Sequence, residues 1–476
     1  MKRIAIVGGG ISGLTCGFRL EQQRASGAAL ETVLFEASPR FGGVIKTDLV
    51  EDAVFEAGPD SFLTEKAWAT ELCRELGLED QLITSRDAQR TTFIVVGGRL
   101  LPIPEGLVFM VPSRLAPTLS SRLFSSKTKL RILNEWLHPP PAITEDMTVR
   151  AFVERHYGRE MVERIADPLL AGVYGGSADE LSVRAVLPRL VDMEAKHGSL
   201  GRAVLAARKA SSVGPKPLFT SLKNGMQQLV DALLIRIPER SHRLGVEVEA
   251  VAPESGKWLV VSSGRRTEEF DAVVIATPAV ETAKLLDPLP DVVAELKAID
   301  YSSSITVLLE YDQAVRAALP TGFGFLVPRL ERRRLLGATF VHNKFPHRIA
   351  DHRALVRCFL GGTRDPDIVS ASDDAIQKIV ESNMAEILAV RTRPIRTRIY
   401  RWEKAMAQYA VGHLERIERI RTLLIGMPGL ALAGNAYTGI GVPNCIRSGS
   451  EAANKVLGEL GFASTAGATQ PTVIGR

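Results

Sequence analysis

Cysteine is scarce in this 476-residue chain. There are 4, at Cys16, Cys73, Cys358 and Cys445, far apart and without a CxxC pair. That usage predicts reduced thiols in a cytoplasmic protein. Long hydrophobic runs are missing too: no stretch reaches 18 apolar residues, so no transmembrane helix is expected. A strand-like run already begins at Arg3, which leaves no room for a signal peptide. The 8 histidines contain no H-E-x-x-H motif. His342, His347 and His352 form a loose polar group that reads as solvated surface rather than as a metal site. Charge of either sign is barely in excess, with 59 Lys+Arg against 54 Asp+Glu and a net +5. With no basic-aromatic motif of a nucleic-acid module, nucleic acid is not an expected partner; an anionic substrate or a membrane surface stays open. Internal repeats are absent.

What is present starts in the first line, "KRIAIVGGGISGLTCGFRL". Arg3 to Val7 is a short apolar run that reads as a buried parallel strand. Gly8, Gly10 and Gly13 follow in G-x-G-x-x-G spacing, with Gly9, Ile11 and Ser12 between them, and a helix-like pattern runs on through Leu20. Gly8 permits the tight turn, Gly10 lets the backbone approach a pyrophosphate, and Gly13 lets helix and strand lie close. A second strand, "ETVLFEAS", ends at Glu36, 23 residues beyond Gly13, where an acid can accept hydrogen bonds from an adenosine ribose. The pattern predicts dinucleotide binding, and at this point either FAD or NAD satisfies it.

The same pattern returns twice. "GVEVEAV", "KWLVVSS" and "FDAVVIATP" read as strands over Val246–Val251, Trp258–Ser262 and Phe270–Thr277. Near the end, "GLALAGNAYTGIGVPNCIRSGSEAANKVLGEL" predicts a strand over Leu430–Ala433, a glycine-rich loop and a helix from about Ile446. A nucleotide-binding domain in three pieces implies insertions between them. Residues from about 100 to 212 have helical periodicity and almost no strand signal. Residues from about 291 to 411 read as strands with one helix near Asp373–Val390, an antiparallel sheet carrying helices. Within the helical insertion, residues 105–141 interleave five basic and two acidic residues with Leu107, Phe109, Met110, Leu115, Leu123, Phe124, Leu130, Leu133 and Trp136. Such a segment suits a membrane interface, and equally suits packing on its own domain.

Three further constellations select FAD. "ASPRFGGVIKT" places Arg40, Gly42 and Gly43 where backbone amides and a guanidinium can approach a pyrophosphate, and "FEAGPDSFL" supplies Gly58, Pro59, Asp60 and Ser61. "AGNAYTGIGVPNC" offers the N–H groups of Ile440, Gly441 and Val442 to a flavin N1–C2=O, which turns negative on reduction. A simple NAD domain needs no second glycine loop so far downstream.

These residues resemble the FAD-dependent amine-oxidase-like superfamily, and within it the oxygen-dependent protoporphyrinogen and coproporphyrinogen III oxidases, from the first strand to about Leu460. "GPDSFLTEK", "DPLLAGVYGGSADELSVRAVLP", "GFGFLVP", "MAQYAVGH" and "AGNAYTGIGVPNCIRSG" carry the specific part of the likeness. The implied fold is α/β: a Rossmann-like FAD-binding domain built from discontinuous segments (1–88, 226–290, 412–462), an inserted helical, membrane-associating domain (99–212), and an α+β substrate domain with an antiparallel sheet (89–98, 213–225, 291–411). A small polar tail (463–476) is expected to be disordered.

The resemblance also implies FAD contacts at Gly8 through Gly13, Glu36, Ala37, Val44, Gly58 through Ser61, Val248, Trp402 and Ile440 through Val442. It implies a substrate pocket with Gly172, Phe323, Gly324 and Leu326. Val44 stands where a basic residue is usual. Val108 stands where mitochondrial-type enzymes have an arginine for a substrate propionate. The carboxylate partner then lies elsewhere, with Lys66 a candidate, and the balance moves toward the bacterial enzymes acting on coproporphyrinogen III. The implied reaction removes six electrons in three rounds through FAD, with O2 as acceptor and H2O2 released. The sequence contains no catalytic dyad, and the chemistry asks for no protein acid or base, so site residues position and solvate. A peripheral seat on the inner face of the membrane, a homodimer and contact with a ferrochelatase are open by resemblance. Rival readings are protoporphyrinogen IX as substrate, another FAD amine oxidase or carotenoid-type desaturase, a plain NAD dehydrogenase, and a non-catalytic flavin-binding membrane scaffold.

Overall fold

The computed structural model describes residues 1–108, 110–210 and 217–463. At its centre five strands run parallel in the order His242–Leu244, Leu30–Glu36, Lys2–Val7, Ala272–Ile275, Leu430–Leu432. The near-continuous apolar character of the middle strands follows from burial on both faces. Ile4, Ile6 and Leu34 pack under the helices Ile11–Ala25, Gln227–Arg236 and Val442–Glu459. Ala5, Val7, Val33 and Phe35 face the opposite way, toward Val251, Trp258 and Val260 of a three-stranded antiparallel sheet. Three distant stretches of chain thus complete one sheet.

Some boundaries differ from those read in the sequence. The Val246–Val251 strand is Val248–Glu254. The Phe270–Thr277 run divides into Arg266–Phe270, an antiparallel strand, and Ala272–Ile275, a parallel one. Asp271 makes the break by accepting from the Arg3 N–H and the Lys2 ammonium. The strand "RTEEF" carries charges on its exposed positions, and no apolar alternation marks it. The last helix starts at Val442, four residues early, because Pro443 sits in its first turn, where a missing N–H costs nothing.

The second sheet has seven strands in the order Arg396–Ala407, Tyr301–Tyr311, Ala354–Gly361, Leu335–Phe340, Gly324–Leu326, Thr92–Val96, Arg99–Pro102. All neighbours are antiparallel except Gly324–Leu326 with Thr92–Val96. One face buries Ile305, Val307, Leu309, Val356 and Cys358 against Ile376, Val380 and Met384 of the helix Asp373–Leu388. Arg99–Pro102 therefore belongs to this sheet and not to the helical insertion. Gly97 and Gly98, at φ 57° and 74°, form the two-residue turn that folds it back. Phe219–Leu222, expected with the substrate segments, pairs with Phe62–Leu63 and Leu82–Thr84.

Helices from Leu115–Ser120 to Leu200–Ala210 form the insertion, around a core that includes Phe152, Tyr157, Met161 and Ile165. Buried His156 bridges two buried carboxylates, 2.9 Å from Glu194 and 3.4 Å from Glu135. Of the histidine group expected to be solvated, His347 and His352 are exposed, but His342 is not. It is 2 % exposed, its Nδ1 is 3.2 Å from the Leu355 carbonyl, and burial lowers its pKa to about 4. "FVHNKF" offers apolar neighbours on both sides, which draw it into the core. No helix among the described residues is long and apolar enough to cross a membrane. Phe109 and residues 464–476, most of the expected tail, lie outside the described residues.

Candidate active site

The first glycine turn is built by steric necessity. Gly8 has φ 107° and donates to the Phe35 carbonyl at 2.8 Å. A Cβ on Gly13 would overlap the Gly8 carbonyl oxygen, so strand and helix can only meet this closely with glycine there. Glu36 accepts from the Gly9 N–H at 2.7 Å and from the Ser38 N–H at 2.8 Å, which fixes its carboxylate beside the turn. Val246 donates to the Glu36 carbonyl at 3.0 Å and brings the buried Val248 strand to the same end of the sheet.

Two helix N-termini converge here from opposite ends of the chain. The helix Ile11–Ala25 begins at Gly10 and Val442–Glu459 begins at Gly441, and neither has a side-chain cap. Ser12 Oγ donates to the Cys445 carbonyl at 3.0 Å, and a Cβ on Gly449 would strike the Ser12 backbone. Uncapped N–H groups with the positive ends of two helix dipoles suit a diphosphate. Gly42 donates to the Gly9 carbonyl at 2.8 Å, and Gly43 faces Gly10 so closely that its Cβ would sit 3.2 Å from the Gly10 Cα. This uncapped, glycine-walled cradle fits a dinucleotide. The Arg40 guanidinium donates to the carbonyls of Phe41, Gly43 and Ile45 and so braces its own loop. Ala37 and Val44 lie exposed along the same rim.

The "AGPDS" loop is held from the seven-stranded sheet. Trp402 Nε1 donates to the Ala57 carbonyl at 2.9 Å, and Arg357 donates to the Gly58 carbonyl. Lys344 Nζ reaches both Asp60 oxygens, at 3.1 and 3.2 Å, and Ser61 Oγ at 3.0 Å. Ser221 donates to the Asp60 carbonyl, while Arg348 pairs with Glu56 at 2.9 Å. Burial works to raise the Asp60 pKa, but Lys344 and Arg357 outweigh it and hold the carboxyl well below the usual range. Burial lowers the pKa of Lys344 and of Arg357, against the opposing pull of Asp60. Beside Pro59, a Cβ on Gly58 would overlap the Val44 carbonyl, so the two loops touch backbone to backbone.

The C-terminal loop is pinned by "MAQYAVGH". Tyr409 Oη donates to the Asn435 carbonyl at 2.6 Å and accepts from the Gly439 N–H at 2.8 Å. His413 stacks on Tyr409 with ring centroids 3.9 Å apart. These contacts set the path into Ile440, Gly441 and Val442. Lys66 lies here as well. Its Nζ donates to Asn444 Oδ1 at 2.7 Å, and Asn444 Nδ2 in turn donates to the Thr438 carbonyl at 3.0 Å. Through Asn444, Lys66 thus braces the glycine loop.

The seven-stranded sheet, which bonds the "AGPDS" loop through Arg357 and Trp402, presents a wall. Direct cross-strand partners Tyr400, Thr306, Phe359, Gly337, Leu326 and Ile94 form one row on one face. Arg357 and Gly324 lie in the row on one side of it, and Trp402 in the row on the other. Gly172, on the helix Asp167–Tyr174, comes so near that its Cβ would stand 3.4 Å from Leu326 Cδ2. Gly172 and Leu326 are thus brought together. Phe323 is buried just before the strand, bonded through its backbone to Thr91 and Phe340. Phe325 turns to the opposite face and joins the core. Residues that sequence reasoning missed are Lys344, Arg348, Arg357, Phe359 and Tyr409. Only Tyr409 had a signal, in "MAQYAVGH".

The family model for flavin-containing amine oxidoreductases matches residues 11–457, almost the whole chain. The chain belongs to this family. It is an oxidoreductase with FAD as its cofactor, on the fold of that family. The coproporphyrinogen III oxidase of Bacillus subtilis (strain 168) is 31% identical over 466 residues, covering 96% of this chain and 98% of the relative. That of Propionibacterium freudenreichii is 32% identical over 95% of this chain and 90% of its own length. Among solved structures, an Exiguobacterium sp. 255-15 protein described as a protoporphyrinogen oxidase aligns with a TM-score of 0.86 at 29% identity, over 97% of this chain and 99% of that one.

Proposed function

We propose that this protein oxidises coproporphyrinogen III to coproporphyrin III, passing six electrons to O2 with release of H2O2. The observation that carries the reading is end-to-end similarity, at 31–32% identity, to coproporphyrinogen III oxidases from Bacillus, Propionibacterium and Mycobacterium. FAD, when bound, supplies the two-electron acceptor.

The chain's own residues then have distinct tasks. Gly8 through Gly13, Gly42 and Gly43 admit the diphosphate, with Glu36 and Val248 toward the adenosine. Gly58 through Ser61, Trp402 and Ile440 through Val442 hold the ring system. Gly172, Leu326 and Phe359 form a flat apolar wall suited to a macrocycle, and exclude water from its bridging carbons. A Cβ at residue 172 would just make ordinary contact with Leu326, so a side chain larger than alanine would enter this space.

The first experiment is aerobic addition of coproporphyrinogen III or protoporphyrinogen IX to the yellow holoprotein, followed by porphyrin fluorescence. Faster oxidation of the four-carboxylate substrate supports the proposal. Faster oxidation of protoporphyrinogen keeps the enzyme class and removes the substrate assignment.

A peripheral membrane seat is a second reading, favoured by one observation. The helix Ser126–Leu137 leaves Leu130, Leu133 and Leu137 exposed at 66, 37 and 70 %, beside Lys127, Lys129 and Arg131. Apolar residues flanked by cations suit an anionic interface.

A further inference from the structure

Around the "AGPDS" loop the buried charges do not cancel. Lys344, Arg348 and Arg357 are 7, 1 and 6 % exposed, and among the described residues only Asp60 and Glu56 pair with them. Three cations against two carboxylates leave one positive charge in excess. Nε of Arg348 and Nε of Arg357 are buried without an acceptor. A buried, incompletely neutralised cation group is costly unless an anion completes it, and it stabilises any negative charge that develops beside it. Arg357 reaches the loop through the Gly58 carbonyl, and its guanidinium also lies 4.9 Å from the centre of the Phe359 ring on the substrate wall.

We propose that Lys344 and Arg357 are positioning residues whose excess charge, set against Asp60, favours the reduced, negatively charged state of the cofactor. The inference rests on the reading that residues 58–61 touch FAD. Lys344 and Arg357 act through the loop: they hold its carbonyl and carboxylate oxygens, and their charge is felt by the ring the loop supports. Asp60 is the counterweight that keeps the excess to a single charge. The sign of each contribution is therefore fixed in advance. Loss of a cation must make the flavin harder to reduce, and loss of Asp60 must make it easier.

The test measures the two-electron midpoint potential of the FAD-loaded protein by equilibration with a redox dye, together with the FAD dissociation constant. Lys344→Met is expected to lower the reduced-to-oxidised ratio at least tenfold, about 30 mV for a two-electron couple. Asp60→Asn is expected to raise it, and the double variant, which keeps the excess at one, returns toward the parent. A purely structural clamp would move both single variants the same way or neither, and that result overturns the proposal. Should Lys344→Met not fold, Asp60→Asn decides alone, with an unchanged or lowered potential counting against it. The underlying reading fails separately, if Asp60→Asn and Ser61→Ala both bind FAD as tightly as the parent.

Discussion

Two histidines make the protein sensitive to acid in a definite window. His342 and His413 are both buried, and burial lowers each pKa from 6.5 to about 4. The unfolded chain binds these protons at higher pH than the folded one. Their contribution is therefore complete above pH 6.5 and is lost as pH falls toward 4, at up to about 1.4 kcal/mol per pH unit for each. Urea midpoints measured from pH 7 to 5 should fall, and His413→Phe should reduce the slope; a flat profile would contradict the burial argument. Gly13 offers a sharper single-residue test. An alanine there must push apart helix and strand at the cradle, so Gly13→Ala should purify without flavin absorbance.

Tyr409 ties the glycine loop before the last helix at two points, alongside the Lys66–Asn444–Thr438 chain. Tyr409→Phe removes a bond to Asn435 and leaves the Gly439 N–H without its acceptor, at a cost of about 1–3 kcal/mol. FAD should bind more weakly while the seven-stranded sheet keeps its circular dichroism. Unaltered FAD affinity would show that the loop holds its path without Tyr409. Elements like the parallel strands could be read from the sequence because burial on both faces writes an unbroken apolar run. The edge strand Arg99–Pro102 and the charged strand Arg266–Phe270 could not, since pairing rather than composition makes them strands. The same divide runs through the site. Glycines that steric overlap requires are visible in the first turn, whereas Lys344 lies 284 positions from Asp60, and Arg357 lies 299 from Gly58. Nothing local marks either cation, and Lys66, whose motif did stand out, turned out to face Asn444.

At the scale of the whole molecule, membrane attachment and order of assembly are the open consequences. Vesicles containing phosphatidylglycerol should pull the protein down at low salt, and Leu130→Ser with Leu137→Ser should abolish the effect. Vesicles of neutral lipid should not, and binding indifferent to both changes would move the contact elsewhere on the surface. The central sheet has a different consequence, for synthesis on the ribosome. The strand Lys2–Val7 is made about 265 residues ahead of its neighbour Ala272–Ile275, and about 435 ahead of the Val442–Glu459 helix. At ~5–20 residues per second the N-terminal half of the cradle waits on the order of tens of seconds for its partner. Until then one edge of that strand has no partner and is open to chaperones, and the cradle is complete for FAD only after the Val442–Glu459 helix has been made.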